Sequence, residues 1–227
     1  PVHRIGRYAP GAALSPLLKV STALVLTVAG MAPAWACTVD MGRGWPAATG
    51  NYGEGAATLL GGVHEQGIAW LSLPRRGEES QLVLAPDADG QWWVSRARAD
   101  RRIHHTSNNY NHFGVELRLD QEPEIERAPI PAELALRVVD RWQRALSTAG
   151  LAEQAPLMED EDVLSIQIAG QRVSGRAPGC GVLPRLLGQR ALLEELAGSK
   201  EKKHEKRYEA IGRALDKYDE RIAEGKV

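Results

Sequence analysis

The stretch that decides the fold class is IAWLSLPRRGEESQLVLAPDADGQWWVSRAR, residues 68–98. It contains three short segments of β-strand character: 68–73, 81–85 and 91–98. The separators between them, PRRG and PDADG, combine Pro, which fixes one backbone dihedral angle, with Gly, which permits a positive one. Short turns of this kind join neighbouring antiparallel strands, so the stretch predicts an antiparallel meander.

Apolar and polar residues alternate at two further places along the chain, residues 113–119 and residues 164–168. This period of two is typical of strands that bury one face and expose the other. An Ala-Gly turn leads from the second segment into residues 171–176 and predicts a β-hairpin.

One amphipathic helix lies between these strands. Pro131 occupies a first-turn position, and an apolar stripe at i, i+4 spacing follows: Leu134, Val138, Trp142 and Leu146. A Leu-rich helix is predicted over 183–196. The fold class predicted is therefore α+β, an antiparallel sheet of five or six strands covered on one face by the helix of residues 131–149, with a C-terminal helical extension.

The first 36 residues have the features of a signal peptide. Basic residues precede an apolar core of 11 residues, 20–30, which is too short to span a bilayer as a helix. Pro33 follows it, and Ala34 and Ala36 place small side chains where a signal peptidase reads them. We expect cleavage after Ala36, a periplasmic or secreted protein, and no membrane span after cleavage. An uncleaved anchor helix or lipidation of Cys37 are the alternatives.

Composition divides the chain into four segments and excludes some classes of protein. The segments are a signal peptide at 1–36, an irregular Gly-rich lead-in with at most one edge strand at 37–66, a single α+β domain at 67–198, and a charged helix at 199–227. The net charge is −1, and it falls to −4 without the three basic residues of the leader. This balance argues against nucleic-acid binding, which needs a concentrated excess of Lys and Arg.

Two cysteines, Cys37 and Cys180, remain after the predicted cleavage. Export to an oxidising compartment and an even count favour a disulfide bond between them. Closing so long a loop removes unfolded-chain entropy equivalent to about 5 kcal/mol in the loop-closure model. The alternative is a nucleophilic Cys180, whose thiolate a following helix would favour.

A polar segment holds three of the six histidines, His104, His105 and His112. Imidazole is a common ligand of transition metals, so this segment is a candidate metal site, with a further ligand from His64 or Glu65. Adjacent residues on an extended backbone point to opposite faces, so at most one of His104 and His105 would join His112. The favoured interpretation is a polar loop whose Asn and Ser side chains satisfy turn backbone.

Trp92, Arg96 and Arg98 share one face of the predicted strand 91–98 and form a candidate ligand site. An indole beside two guanidinium groups could bind an anionic or sugar-containing ligand by stacking and hydrogen bonding. The favoured interpretation is that Trp92 packs in the core while the arginines extend to water or pair with Glu116 and Glu122.

The terminal segment carries a narrow apolar seam at spacings of three and four: Tyr208, Ile211, Leu215, Tyr218 and Ile222. Such a seam rests on the chain's own domain or mediates self-association or contact with a partner helix.

The sequence thus favours an exported protein with a non-catalytic binding or structural role in the cell envelope, acting on an unknown protein or envelope component, with no cofactor expected. The alternative is a small metal-dependent or hydrolytic enzyme that uses the His104/His105/His112 segment.

Overall fold

In the computed structural model, the strands of the predicted meander lie at the centre of a larger sheet. The structure describes residues 39–47, 49–62, 64–109, 112–157 and 161–225, and for 107–109 and 112–113 the backbone alone. The signal peptide predicted over 1–36 and Cys37 lie outside these residues.

The described residues form nine strands and four helices. The strands are β1 (Met41–Arg43), β2 (Ile68–Leu73), β3 (Ser80–Pro86), β4 (Trp92–Arg98), β5 (His104–Asn109), β6 (His112–Leu117), β7 (Glu124–Pro129), β8 (Val163–Ile168) and β9 (Gln171–Gly175). The helices are α1 (Gly50–Leu59), α2 (Ala132–Thr148), α3 (Leu183–Ala197) and α4 (His204–Ala223).

Seven strands pair in the order β1-β9-β8-β2-β3-β4-β7, and every pairing is antiparallel. The predicted α+β class with an antiparallel sheet and a C-terminal helix is confirmed. The predicted count of five or six strands is wrong, because the short β1 and the charged β7 lengthen the sheet at its two edges. The predicted strand 113–119 does not join this sheet; β6 pairs with β5 in a separate two-stranded ribbon.

Alternate residues of the strands build two different faces. One face, here the helical face, carries the large apolar side chains and is covered by α2, α3 and α4: Ile68, Trp70, Leu82, Leu84, Val94, Leu164 and Ile166. The prediction that one helix covers this face is therefore wrong. The Leu-rich α3 buries one face and exposes the other: Leu183, Leu186, Leu193 and Leu196 are buried, while Arg185, Gly188, Ala191 and Glu195 are exposed.

The opposite face, here the mixed face, is covered by α1 and combines apolar residues with buried polar ones: Leu71, Leu73, Ala97 and Val163 with Gln81, Ser165 and Ser174. Helix α1 lies inside the predicted irregular lead-in, which corrects that interpretation. Gly lowers helix propensity, but a side chain at Gly53 would come within 2.4 Å of the Trp45 ring. Close packing of the Trp45 ring on α1 thus explains the glycine at position 53. Tertiary contacts of this kind outweigh the low helix propensity of glycine.

The edge strand β1 is covered by a segment of the chain that follows α2, residues 152–155, here the strap. The Ala152 N–H donates to the Met41 carbonyl at 3.1 Å, and the Ala155 N–H donates to the Arg43 carbonyl at 2.8 Å. A Cβ atom at Gly42 would lie 2.0 Å from the Gln154 carbonyl oxygen, so the strap approaches β1 where a side chain is missing.

The apolar seam of α4 packs within the chain. Ile211, Leu215 and Tyr218 are buried in the same cluster as residues of α2 and α3, while Ile222 remains 42% exposed. Self-association through the seam stays a prediction, and the exposed Ile222 is the seam residue most available for it.

None of the described helices combines the length and the apolar character that crossing a membrane requires.

Candidate functional site

A cleft of about 330 Å³ opens where α3 crosses the ends of β2 and β8. Its walls are mostly apolar: Leu73, Pro74, Val163, Leu164, Ala177, Leu187 and Ala191. Four polar side chains reach into this surface: Ser72, Asp162, Arg190 and Glu194. An apolar pocket with a few convergent polar groups is the usual form of a small-molecule site, and we call it the Arg190 cleft.

Arg190 is the central polar group of the Arg190 cleft. Its Nη2 donates to the Ser72 hydroxyl at 2.9 Å and forms an ion pair with Glu194 at 2.9 Å, one turn along α3. The side chain is only 17% exposed, and its buried Nε–H has no acceptor among the described residues. A buried donor without a partner costs about 1–3 kcal/mol, so such groups in folded proteins call for an acceptor from water or a ligand.

The charged side chains of the Arg190 cleft sum to −1. Glu194 and Asp162 contribute two carboxylates against one guanidinium. Asp162 is held in place because its Oδ1 accepts the backbone N–H of Arg75 at 2.7 Å. This balance disfavours a strongly anionic ligand and suits a neutral one that offers an oxygen to the Nε–H.

The predicted histidine site lies on the β5–β6 ribbon. Residues 104–109 form a strand, so the polar-loop interpretation is wrong for them: their backbone groups pair with β6 rather than with turn side chains. The His104 ring packs against Tyr52 with 5.0 Å between ring centroids. Within the described ranges, no three His, Cys, Asp or Glu side chains are placed to hold a metal ion. The His112 side chain lies outside them, so a metal site with His105 stays a prediction.

The second predicted site, Trp92, Arg96 and Arg98, is divided between core and surface. Trp92 belongs to the buried cluster of the helical face. The two arginines pair across to β7, Arg96 with Glu126 and Arg98 with Glu124. The favoured acids, Glu116 and Glu122, are therefore not the partners found, because the sequence alone did not reveal that β7 lies beside β4.

Cys180 lies shortly before α3 and is not a free thiol. This leaves no thiolate for the nucleophilic alternative. Cys37 lies outside the described residues, so its pairing with Cys180 stays a prediction.

A buried acid lies at the edge of the mixed face, and no sequence pattern indicates it. The fully buried Glu79 accepts hydrogen bonds from the Tyr52 hydroxyl at 2.5 Å, the Ile103 N–H at 2.8 Å and the His104 N–H at 3.2 Å. Burial, reinforced by the bond to Glu79, raises the pKa of Tyr52 far above its ordinary value. The carboxylate thus ties α1 and β5 to the sheet, and its hydrogen-bonding capacity is largely used by the protein itself.

The sequence carried one signal for the Arg190 cleft. Arg190 and Glu194 lie within a Leu-rich helix, and polar groups buried beside such a helix require partners. Which partners they find depends on strands far away in sequence, so the signal alone does not define a site.

Comparison with protein-family models, curated proteins and solved structures gives no match for this chain. Its function is therefore inferred from the chemistry of the described sites.

Proposed function

We propose that this chain is an exported, non-catalytic binding protein of the cell envelope, periplasmic or secreted, whose ligand site is the Arg190 cleft. The observation that carries the proposal is the buried Nε–H of Arg190, which has no acceptor among the residues that the structure describes and lies in a cleft with apolar walls.

The contacts of the Arg190 Nη2 atom hold the guanidinium group in place. Its Nη2 is fixed by both Ser72 and Glu194, so the orientation of the Nε–H is set before any ligand arrives. Preorganised polar groups lose less entropy on binding than mobile ones do. The cleft volume, about 330 Å³, is at the small end of ligand pockets.

The expected ligand is a small neutral molecule with an apolar body and one carbonyl or hydroxyl oxygen. The apolar walls bind the body, and the oxygen accepts the Arg190 Nε–H. A carboxylate in the same position would meet Glu194 and Asp162, so its affinity is expected to be lower.

Titration of ¹⁵N-labelled protein with hexanamide, and separately with hexanoate, tests this proposal by NMR. We expect saturable shifts of the Leu164, Leu187 and Ala191 amides with hexanamide and weaker ones with hexanoate. The variant Arg190→Met should lose these shifts, because methionine fills the space of the aliphatic part of arginine but has no N–H donor.

Arg213→Met is the matched control, since Arg213 lies on the exposed side of α4 and pairs only with Glu209 among the described residues. It should bind hexanamide as the wild type does. Absence of saturable shifts in the wild type, or equal binding by Arg190→Met, would overturn the ligand assignment.

Export is tested separately by expressing the chain with its leader in a bacterium that has a periplasm. We expect the mature protein to begin at Cys37 by mass spectrometry. An intact leader on cytosolic protein would refute the exported location without affecting the ligand assignment.

A further inference from the structure

A second recess, distinct from the Arg190 cleft, lies between α3 and α4 and has the opposite charge character. Its volume is about 260 Å³, and four residues of each helix line it: Arg185, Gly188, Gln189 and Leu192 from α3, and Ala214, Lys217, Tyr218 and Arg221 from α4. We call it the α3–α4 groove. Gly188 and Ala214 are the smallest residues of the lining, and a Cβ atom at Gly188 would have no heavy atom within 4 Å, so the groove is open at this point.

Three cationic side chains line the α3–α4 groove, and none of the described residues in its lining is a carboxylate. Lys217 and Arg221 form no ion pair with any described residue. Two acids of α4 beside these cations, Asp216 and Asp219, pair with Arg137 and Arg141 of α2. The net charge of the chain is −1, so this cluster of cations is a local feature, and a local positive potential attracts anions.

Gln189 supplies a second, independent indication of a ligand. It is only 2% exposed, it lines the groove, and its Oε1 is buried without a hydrogen-bond partner in the described part of the chain. An amide oxygen accepts hydrogen bonds, and an exchange of the amide oxygen and nitrogen would place a donor there instead. A hydroxyl group satisfies either arrangement, because it both donates and accepts.

We propose that the α3–α4 groove binds a phosphorylated polyol: the phosphoryl oxygens contact Lys217, Arg221 and Arg185, and a neighbouring hydroxyl contacts Gln189. Three cations contributed by two helices suit a tetrahedral anion with several oxygens, whereas a carboxylate is satisfied by a single bidentate arginine. The small volume suits a phosphate carrying a short polyol such as glycerol.

Isothermal titration calorimetry of the full mature chain with glycerol 3-phosphate, inorganic phosphate and glycerol tests the proposal. We expect glycerol 3-phosphate to bind most tightly, phosphate more weakly and glycerol not at all, with affinity falling as salt is raised. The double variant Lys217→Gln/Arg221→Gln should bind at least about tenfold more weakly, since it removes two charge-assisted contacts.

The matched control is Lys206→Gln/Arg213→Gln, which makes the same charge change on exposed positions of the same helix. It should retain the wild-type affinity. Equal loss in both double variants would show that the effect is general electrostatics and would overturn the site.

Gln189→Leu distinguishes recognition from structure. It removes the unpartnered amide, so the free energy of unfolding should be unchanged or higher, while the preference for glycerol 3-phosphate over phosphate disappears. Loss of stability with the preference retained would overturn the assigned contact of Gln189.

Sedimentation with vesicles separates a free ligand from a lipid headgroup of the same chemistry. Binding to phosphatidylglycerol vesicles that is lost in Lys217→Gln/Arg221→Gln would identify the headgroup as the source, and binding of glycerol 3-phosphate alone would identify a free ligand. No binding of any phosphorylated probe would overturn the proposal.

Discussion

The helical face and the mixed face of the sheet are built from alternate residues of the same strands, yet different forces stabilise them. On the helical face, Trp70 of β2 packs edge-to-face on Trp142 of α2 with 5.3 Å between ring centroids, and both indole N–H groups are buried without an acceptor in the described part of the chain. On the mixed face, the Ser174 hydroxyl donates to Ser165 at 2.9 Å, and Arg172 contacts Ser165 and Gln167 beneath the Trp45 ring.

The two faces differ in the geometry that their stabilising contacts require. Apolar area stabilises the helical face and has no preferred direction, and its burial outweighs the cost of the two indole N–H groups that have no acceptor among the described residues. Hydrogen bonds stabilise the mixed face, and each depends on a partner at a defined distance. We therefore expect substitutions on the helical face to act through lost volume and those on the mixed face to act through unpaired donors.

The largest expected effect is on the helical face. Trp142→Ala should lower the free energy of unfolding by about 3–5 kcal/mol, because it leaves a large cavity against Trp70. Urea unfolding followed by circular dichroism measures this. Leu136→Ala, at an exposed position of the same helix, should change it by less than about 0.5 kcal/mol. A loss below 1 kcal/mol for Trp142→Ala would contradict apolar burial as the main stabilising force there.

On the mixed face, Glu79→Ala should cost about 3 kcal/mol, because three donors lose their acceptor in a buried site. Glu79→Gln keeps an acceptor oxygen and should cost about 1 kcal/mol. Hydrogen exchange should accelerate at the Ile103 and His104 amides in Glu79→Ala before the rest of the sheet. The neighbouring Glu78→Ala, at an exposed position, is the control and should leave both stability and exchange unchanged.

Tyr52 gives the mixed face a dependence on alkaline pH. Its folded pKa is raised above the ordinary value of 10.0, so the stability from its protonated hydroxyl is complete below about pH 10 and is lost as the pH rises further. Tyr52→Phe should cost about 1 kcal/mol at pH 7 and flatten the decline above pH 10. Tyr208→Phe should flatten it less, since Tyr208 is more accessible. An unchanged alkaline profile in Tyr52→Phe would contradict this account.

The smallest effect is expected at the rim of the helical face. The hydrogen bond from Arg141 lowers the pKa of Asp219, so this pair stabilises the fold above the ordinary carboxyl pKa, and that contribution is lost as the pH falls through the folded value. Solvent screens the pair, so Asp219→Asn should cost under about 1 kcal/mol at pH 7 and less near pH 2, where protonation weakens the pair. Thermal unfolding at both pH values checks this, and an equally large loss at pH 2 would contradict it.

Sequence patterns predicted the elements whose periodicity or turn chemistry is strong. β2, β3, β4, β8 and β9 alternate or are bounded by Pro-Gly turns, and α2 carries a continuous apolar stripe. Three elements were missed for identifiable reasons. α1 is rich in glycine, β5 consists of polar residues, and β7 exposes Ile125 and its charged neighbours at a sheet edge.

The candidate sites were less predictable than the fold. Ser72 and Arg190 are 118 positions apart, so only the pairing of strands and the docking of α3 bring them together. The paired arginines Arg96 and Arg98 appeared in the sequence as a cationic cluster, because the acids that neutralise them lie on a strand that the pattern did not indicate.

The strap over β1 also bears on aggregation. An open strand edge presents unpaired backbone groups on which a second molecule can add its own strand. Here the strap occupies one edge, and the other edge, β7, carries Glu124, Glu126, Arg127 and Pro129, which oppose strand addition by charge and by the missing N–H. A larger residue at position 42 would displace the strap and expose the edge of β1. Gly42 therefore permits the close contact with the strap and, through it, disfavours the addition of a strand from a second molecule.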